Sequence, residues 1–313
     1  MPLDPQAAAV LAKVPPLWRD VEAIRSLTAA AAREWMTETS DAVHEEAAVP
    51  AGVAVEAIEL PGPDGPLRGR VYRPTASPPA GTALWIRGGG FVLGSLETER
   101  LAGLIVAASG CAIASIAYRL APEHPFPGPL EDCYAAVRWV AEHARDIGGH
   151  AGPIAVGGES AGGNLAAAVA LAARDRGGPE IALQVLLYPM IAREFDGGSR
   201  HDPEVGALAC PEAIDWLWEQ YLGDREGTDP LACPLRAESL AGLPPALVVT
   251  AEYDVLRDEG EAYAARLERE GVPVELRRYD GMHHGFSDSP EEIDAGAASI
   301  EQIGSALRRA LSA

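Results

Sequence analysis

Apolar and polar positions along this chain change their period twice. Up to about residue 50, Leu17, Val21, Ile24 and Leu27 recur at helical spacing, with Trp18 and Trp35 nearby, which predicts helices. V-A-V-E-A-I-E-L (53–60) and L-R-G-R-V-Y-R-P (67–74) alternate in the manner of strands. P-G-P-D-G-P between them reads as a turn, so the two predict an antiparallel hairpin. From residue 82 the pattern becomes short apolar runs, at 82–87, 111–118, 153–158, 182–189, 246–251 and 274–279. Near-continuous apolar strands separated by helices predict an α/β architecture, a mostly parallel sheet of about eight strands covered on both faces.

Two of the intervening helices are legible as stripes. Tyr134, Val137, Ala141 and Ala144 make one, and Ile293, Ala297, Ile300, Gly304, Leu307 and Leu311 another. Ser289-Pro290-Glu291-Glu292 predicts the start of the latter, as a capping box with proline at the first helical position. Residues 192–226 interrupt the rhythm and carry Phe195, Trp216, Leu217, Trp218 and Tyr221. So long a connection predicts an insertion that joins the N-terminal helices over one end of the sheet. The expected organisation is N-terminal helices over 1–50, core over 51–191, cap insertion over 192–226, and core again over 227–313.

Composition narrows the partners. Of 313 residues 48% are apolar, enough for a substantial core, and the net charge is −21. Such acidity argues against nucleic acid and anionic membrane surfaces. No apolar run approaches the roughly 20 residues of a membrane span, and no stretch reads as a signal peptide. Cys111, Cys133, Cys210 and Cys233 show neither CxxC pairing nor metal-ligand spacing, which fits free thiols in a reducing cytoplasm.

The chemistry begins at G-G-E-S-A-G-G-N, which follows the run P-I-A-V and opens an alanine-rich helix. Gly158-x-Ser160-x-Gly162 fits a nucleophile elbow, in which a sharp strand-to-helix turn needs small residues on either side of the serine. A serine hydroxyl requires a base, and the base an orienting acid. Asp254 stands directly after the strand A-L-V-V-T-A-E-Y, and His283-His284 just past the final strand; both positions belong to the strands' C-terminal edge. Asp258 and Glu259 fall about one turn into the next helix and read as solvated. Neighbouring loop residues point in different directions, so one of the two histidines is a spectator. His44, His124, His143, His150 and His201 read as surface or structural. Three glycines, Gly88, Gly89 and Gly90, end the run T-A-L-W-I behind Arg87. Attack on an ester carbonyl creates an oxyanion that needs N–H donors about 3 Å away. Gly88, Gly89 and Ala161 are the expected donors, and Gly90 serves the turn.

These blocks in order, R-G-G-G-F (87–91), Y-R-L-A-P-E-H-P-F-P (118–127), G-E-S-A-G-G-N (158–164), D-V-L-R-D-E-G (254–260) and H-G-F (284–286), resemble the bacterial hormone-sensitive-lipase-like esterases of the α/β-hydrolase fold. The resemblance runs from about Leu84 to Phe286. It implies a carboxylesterase for short- to medium-chain acyl esters, with a helical cap and no metal or cofactor. The implied nucleophile is Ser160, the acid Asp254 and the base His284, with Gly88, Gly89 and Ala161 as oxyanion donors. Relatives that dimerise make a homodimer an open expectation.

Two positions depart from that pattern. Glu159 replaces the usual aspartate before the nucleophile, and Arg87 replaces a histidine that supports the oxyanion loop. A desolvated arginine wants a carboxylate or backbone carbonyls; Glu159, Glu97 and Glu99 are the candidate carboxylates, and snorkelling to water is the alternative. Two other functions fit the same fold. One is a non-catalytic small-molecule-binding protein, as in the gibberellin receptors, which lost the histidine. The other is an amidase, thioesterase or lactonase using the same triad.

Overall fold

A computed structural model describes residues 2–43, 49–149, 152–202, 204–206 and 208–312. His44 and His150 lie outside them.

Eight strands form one sheet: β1 (Val53–Gly62), β2 (Gly65–Pro74), β3 (Thr82–Ile86), β4 (Ala112–Ile116), β5 (Ile154–Glu159), β6 (Ile181–Leu187), β7 (Ala246–Tyr253) and β8 (Val274–His283). Their spatial order is β1-β2-β4-β3-β5-β6-β7-β8. The hairpin is antiparallel throughout and β2 pairs antiparallel with β4, whereas every later pairing is parallel. The hairpin ladder extends to Gly62 opposite Gly65, so the expected six-residue turn shrinks to Pro63-Asp64. β3 and β4 are buried at every position, as strands covered on both faces must be. Because the chain runs from β3 to β4 on one side and later to β5 on the other, a crevice opens beyond the C-terminal ends of β3 and β5.

Among the described residues ten helices accompany the sheet: α1 (Pro5–Leu11), α2 (Val21–Arg25), α3 (Ala29–Val43), α4 (Leu101–Ser109), α5 (Gly128–Glu142), α6 (Ala161–Asp175), α7 (Gly198–His201), α8 (Pro211–Leu222), α9 (Arg257–Arg269) and α10 (Asp294–Leu311). α6 is buried on every side from Ala161 to Ala173, and its alanines are what let it lie so close to the sheet and α5. The buried face of α5 centres on Cys133, Ala136, Val137 and Val140, leaving Tyr134 and Ala141 at its margin. α10 begins later than the capping box suggests. Ser289 to Glu292 form a separate turn in which the Ile293 N–H donates to the Ser289 carbonyl at 2.9 Å. The first helical amide, Asp294, is served at 3.0 Å by the Gln6 side chain from α1, a partner no local pattern could reveal. Ala297 is exposed, and Gly296 and Ser299 take the inward places.

The N-terminal helices and the 192–226 segment pack together. Trp18 lies against Trp35 and Trp216 with ring centroids 5.6 and 5.9 Å apart, and the Cys210 N–H donates to the Trp18 carbonyl at 2.8 Å. Phe91, just after β3, stacks on Tyr221 of α8 at 3.7 Å. Aromatic contacts thus join the N-terminal helices to α8, and α8 to the loop after β3.

Candidate active site

Ser160 stands where β5 turns into α6. Its φ of 55° and ψ of −119° place a non-glycine residue in a sparsely populated region, a strain of about 1–3 kcal/mol that surrounding contacts must maintain. Those contacts are present: the Ser160 N–H donates to the Leu187 carbonyl at 2.9 Å, and its carbonyl accepts from Met190 at 3.1 Å. A methyl at Gly162 would lie 1.9 Å from the Ile86 carbonyl oxygen, and one at Gly158 2.4 Å from that of Gly162. Only glycine fits either side of the serine. Buried Asn164 then ties α6 down, donating to the Met190 and Ala232 carbonyls at 2.7 and 2.9 Å.

Asp254 follows β7 and is 2% exposed. One carboxylate oxygen accepts the Leu256 N–H at 2.9 Å, and the other meets His284 Nδ1 at 2.6 Å. A carboxylate only accepts, so Nδ1 carries the proton and Nε2 is left with its lone pair. Burial alone would lower the imidazole pKa; the charge and hydrogen bond of Asp254 outweigh it, Asp288 adds to them, and the net displacement is upward. The two adjacent histidines separate clearly. β8 runs on through His283, past the end expected at residue 279, by way of Gly281 at φ 74°. The buried His283 ring there has its Nδ1 2.5 Å from the His284 carbonyl, and Asp254 is met by His284 alone of the two. Burial lowers its pKa. Ser160, His284 and all three glycines of the loop after β3 line one cavity of about 310 Å³.

The glycine loop differs from expectation at one donor. The Gly88 N–H donates to a Glu159 carboxylate oxygen, so it is not free for an oxyanion. Among the described residues the N–H groups of Gly89 and Gly90 have no acceptor, and neither has that of Ala161 at the first position of α6. Gly90, assigned above to the turn alone, thus has its N–H free where that of Gly88 is engaged. Gly89 has φ 104°, and a methyl there would lie 2.4 Å from the Leu93 carbonyl oxygen. Its own carbonyl closes the loop by accepting from Val92 and Leu93 at 3.0 and 2.8 Å.

Arg87 forms no ion pair with the three candidate acids, nor does it snorkel, being 4% exposed. Glu97 pairs with Arg68 and Arg70 instead. The guanidinium donates to the Leu93 and Gly88 carbonyls and lies over the Tyr118 ring, 4.5 Å from its centroid. The Tyr118 hydroxyl in turn donates to the Arg87 carbonyl at 3.1 Å. Glu159, Glu99 and Asp288 line the same cavity. Burial raises the pKa of Glu99. Burial and then the charge of Glu99 raise those of Glu159 and Asp288, the latter to about 7, and the charge of Asp288 adds to the effect on Glu159.

Sequence reasoning missed several of these groups. Tyr118 opens a block that was singled out, so its place was at least marked. Asp288 carries no local signal among 46 acidic residues, and Glu99 was marked only as a possible partner of Arg87. Glu259 is buried rather than solvated, accepting the Ile191 and Ala192 N–H groups at 2.6 and 3.2 Å. Asp258 is half-buried and accepts from Ser199 at 2.8 Å.

The chain is 43% identical over 268 residues to a carboxylic ester hydrolase, LipN, of Mycobacterium tuberculosis, covering 83% of this chain and 71% of the relative. It is 40% identical over 224 residues to an arylesterase of Saccharolobus solfataricus, covering 71% and 73%. Among solved structures, a hyperthermophilic esterase from Pyrobaculum calidifontis superposes with a TM-score of 0.91 at 38% identity, over 100% of both chains. The sequence profile of the alpha/beta hydrolase fold family matches residues 83–288. The chain belongs to the α/β-hydrolase fold family, in its hormone-sensitive-lipase-like branch.

Proposed function

We propose that Ser160, His284 and Asp254 are the nucleophile, base and orienting acid of a serine carboxylesterase that works through an acyl-enzyme. The chain is a carboxylic ester hydrolase, and its substrates are small-molecule esters. The finer reading rests on one observation: His284 Nδ1 meets the buried Asp254 carboxylate at 2.6 Å, on a cavity that Ser160 also lines.

Ser160 Oγ attacks the ester carbonyl carbon while His284 Nε2 takes its proton. Asp254 fixes the imidazole and stabilises the imidazolium that forms. The N–H groups of Gly89, Gly90 and Ala161 receive the oxyanion. The bond to the alcohol then breaks as His284 returns the proton to the departing oxygen, leaving the acyl group on Ser160. Water repeats the sequence and releases the acid.

α1 to α3 and α8 make up the cap, and the apolar side chains they bring to the cavity favour short- to medium-length acyl chains. Unpaired cysteines among the described residues support a cytoplasmic setting, and no helix of those residues is long and apolar enough to cross a membrane. A homodimer is supported by β8, an edge strand with Leu276 exposed.

Hydrolysis of p-nitrophenyl esters from acetate to dodecanoate tests the reading. Turnover peaking at a short or medium chain and abolished in Ser160→Ala is expected, with covalent labelling of Ser160 by an organophosphonate. A folded protein that neither turns over nor takes the label would be a binder.

A further inference from the structure

The cavity has two kinds of wall. Val10, Trp18, Trp35, Met36, Ile214 and Leu217, from the cap helices and the segments joining them, give it an apolar side. Arg87, Glu99, Glu159, His283 and Asp288, from the segments at the ends of β3, β5 and β8, give it a polar floor. Within that floor, Glu99 Oε2, Glu159 Oε2, Arg87 Nε and His283 Nε2 are buried and have no hydrogen-bond partner among the described residues. Glu99, Arg87 and His283 are 7%, 4% and 4% exposed. A buried polar atom without a partner is costly, and native structures leave few of them. Four in one wall of the reaction cavity call for a partner that the chain does not supply.

The mixture identifies what that partner must do. Carboxylate oxygens accept, while the Arg87 Nε–H donates. An anion would face three carboxyls, and an ammonium would face Arg87. A hydroxyl both donates and accepts and carries no charge, so it suits the set. The three carboxyls do not form a metal-ligand group.

We propose that this floor is a subsite for a hydroxyl group carried by the ester substrate, with Glu99 as the residue that recognises it. The proposal rests on the esterase reading above and sets its substrate class: esters bearing a free hydroxyl a few bonds from the scissile carbonyl. Glu99 is suited to the part because its two oxygens divide the work. Oε1 accepts the Ala102 N–H at 3.0 Å and anchors the side chain at the start of α4, which leaves Oε2 for the ligand. Glu159 is tied to Gly88 in the same way, by one oxygen only.

Paired esters that differ by hydroxyl against methyl provide the test. 2-Hydroxyethyl butanoate is compared with propyl butanoate, and ethyl 3-hydroxybutanoate with ethyl 3-methylbutanoate, so that either end of the ester can carry the group. An apolar pocket favours the methyl ester about tenfold or more. The subsite predicts instead that kcat/KM favours the hydroxyl ester in at least one pair by about tenfold or more. Glu99→Gln keeps the oxygen that serves Ala102 and turns the other acceptor into a donor, and should lower that ratio at least about tenfold. The ratio is read rather than the rate, and if Glu99→Gln does not fold the wild-type ratios decide alone. Methyl esters favoured in both pairs would overturn the subsite and leave water as the partner of these atoms. A hydroxyl preference unmoved by Glu99→Gln would overturn the role of Glu99. A folded protein that hydrolyses none of the four esters would instead overturn the esterase reading, and this proposal with it.

Discussion

Replacing Arg87 by methionine tests how the oxyanion loop is held. The guanidinium is 4% exposed and is supported by the Gly88 and Leu93 carbonyls and the Tyr118 face. A hydrogen bond from a charged group contributes about 1.5–3 kcal/mol, and a desolvated cation–π contact about 2 kcal/mol. Against these stands the desolvation of the charge, several kcal/mol, with Nε unpartnered among the described residues. The terms nearly cancel, so global stability should register the change only modestly. Methionine leaves the Leu93 carbonyl without its donor, a loss of about 1–3 kcal/mol that urea midpoints can read. The local effect should be larger, because the Gly88–Gly94 segment closes around this side chain and presents the Gly89 and Gly90 N–H groups. Complete loss of one oxyanion donor lowers kcat about 10²–10³-fold; misalignment without loss should lower it about ten- to a hundredfold, with KM little changed. Arg87→Lys keeps the charge but not the planar fork or the stacking surface, and should fall between. Kinetics on p-nitrophenyl butanoate and urea midpoints from the same preparations would decide. A wild-type kcat in Arg87→Met would refute the reasoning, whatever happened to stability.

Three further outcomes follow from the geometry. His284 must be neutral to act as base and its pKa is raised, so kcat/KM should fall as pH drops through a value above the ordinary 6.5; Asp254→Asn should move that limb to lower pH and cost up to about 10⁴-fold in rate, and an unmoved limb would mean another group titrates. Gly89→Ala puts a methyl 2.4 Å from the Leu93 carbonyl oxygen at φ 104° and should lower kcat about 10²-fold or more while the protein stays folded, whereas near-normal turnover would remove Gly89 from the donors. Burial raises the Glu259 pKa to about 8, so the carboxyl is protonated in the folded protein where the unfolded chain has lost the proton. Its stabilising contribution is therefore full below about pH 4.5 and disappears as pH rises through about 8. Glu259→Gln should flatten the fall in urea midpoint across that interval, and parallel profiles would contradict the assignment.

What could be read in advance follows how local each cause is. The strands of the sheet announced themselves because burial on both faces leaves continuous apolar runs. The elbow did so because a methyl at Gly158 or Gly162 would come within 2.4 Å of neighbouring backbone, which permits no side chain. Asp254 and the His283-His284 pair were legible from their places after strands, since a parallel sheet brings every such place to one edge, but those places did not say which histidine meets Asp254. Boundaries set by distant partners were not. α10 begins at Asp294 because Gln6, nearly the whole chain away, serves its first amide. The path of β8 through His283 depends on an irregular pairing with β7 that no periodicity encodes.

The engagement of the Gly88 N–H has the same origin. Three adjacent glycines offer three N–H groups, and sequence cannot say which of them face the serine. The choice is made by Glu159, whose carboxylate takes the Gly88 N–H, and by Arg87, which gathers the Gly88 and Leu93 carbonyls to the other side. With both of its backbone polar groups engaged, Gly88 is fixed with its N–H turned to Glu159, and the next two amides are left free. The two residues that depart from the family pattern are therefore the two that fix the loop, each by backbone contacts and neither by pairing with the other. Their effects should separate accordingly. Glu159→Gln can still accept from Gly88 through its amide oxygen, so it should retain most of the wild-type kcat, whereas Glu159→Ala should approach the deficit of Arg87→Met. Equal kinetics for the glutamine and alanine variants would mean that the Gly88 hydrogen bond plays no part in holding the loop.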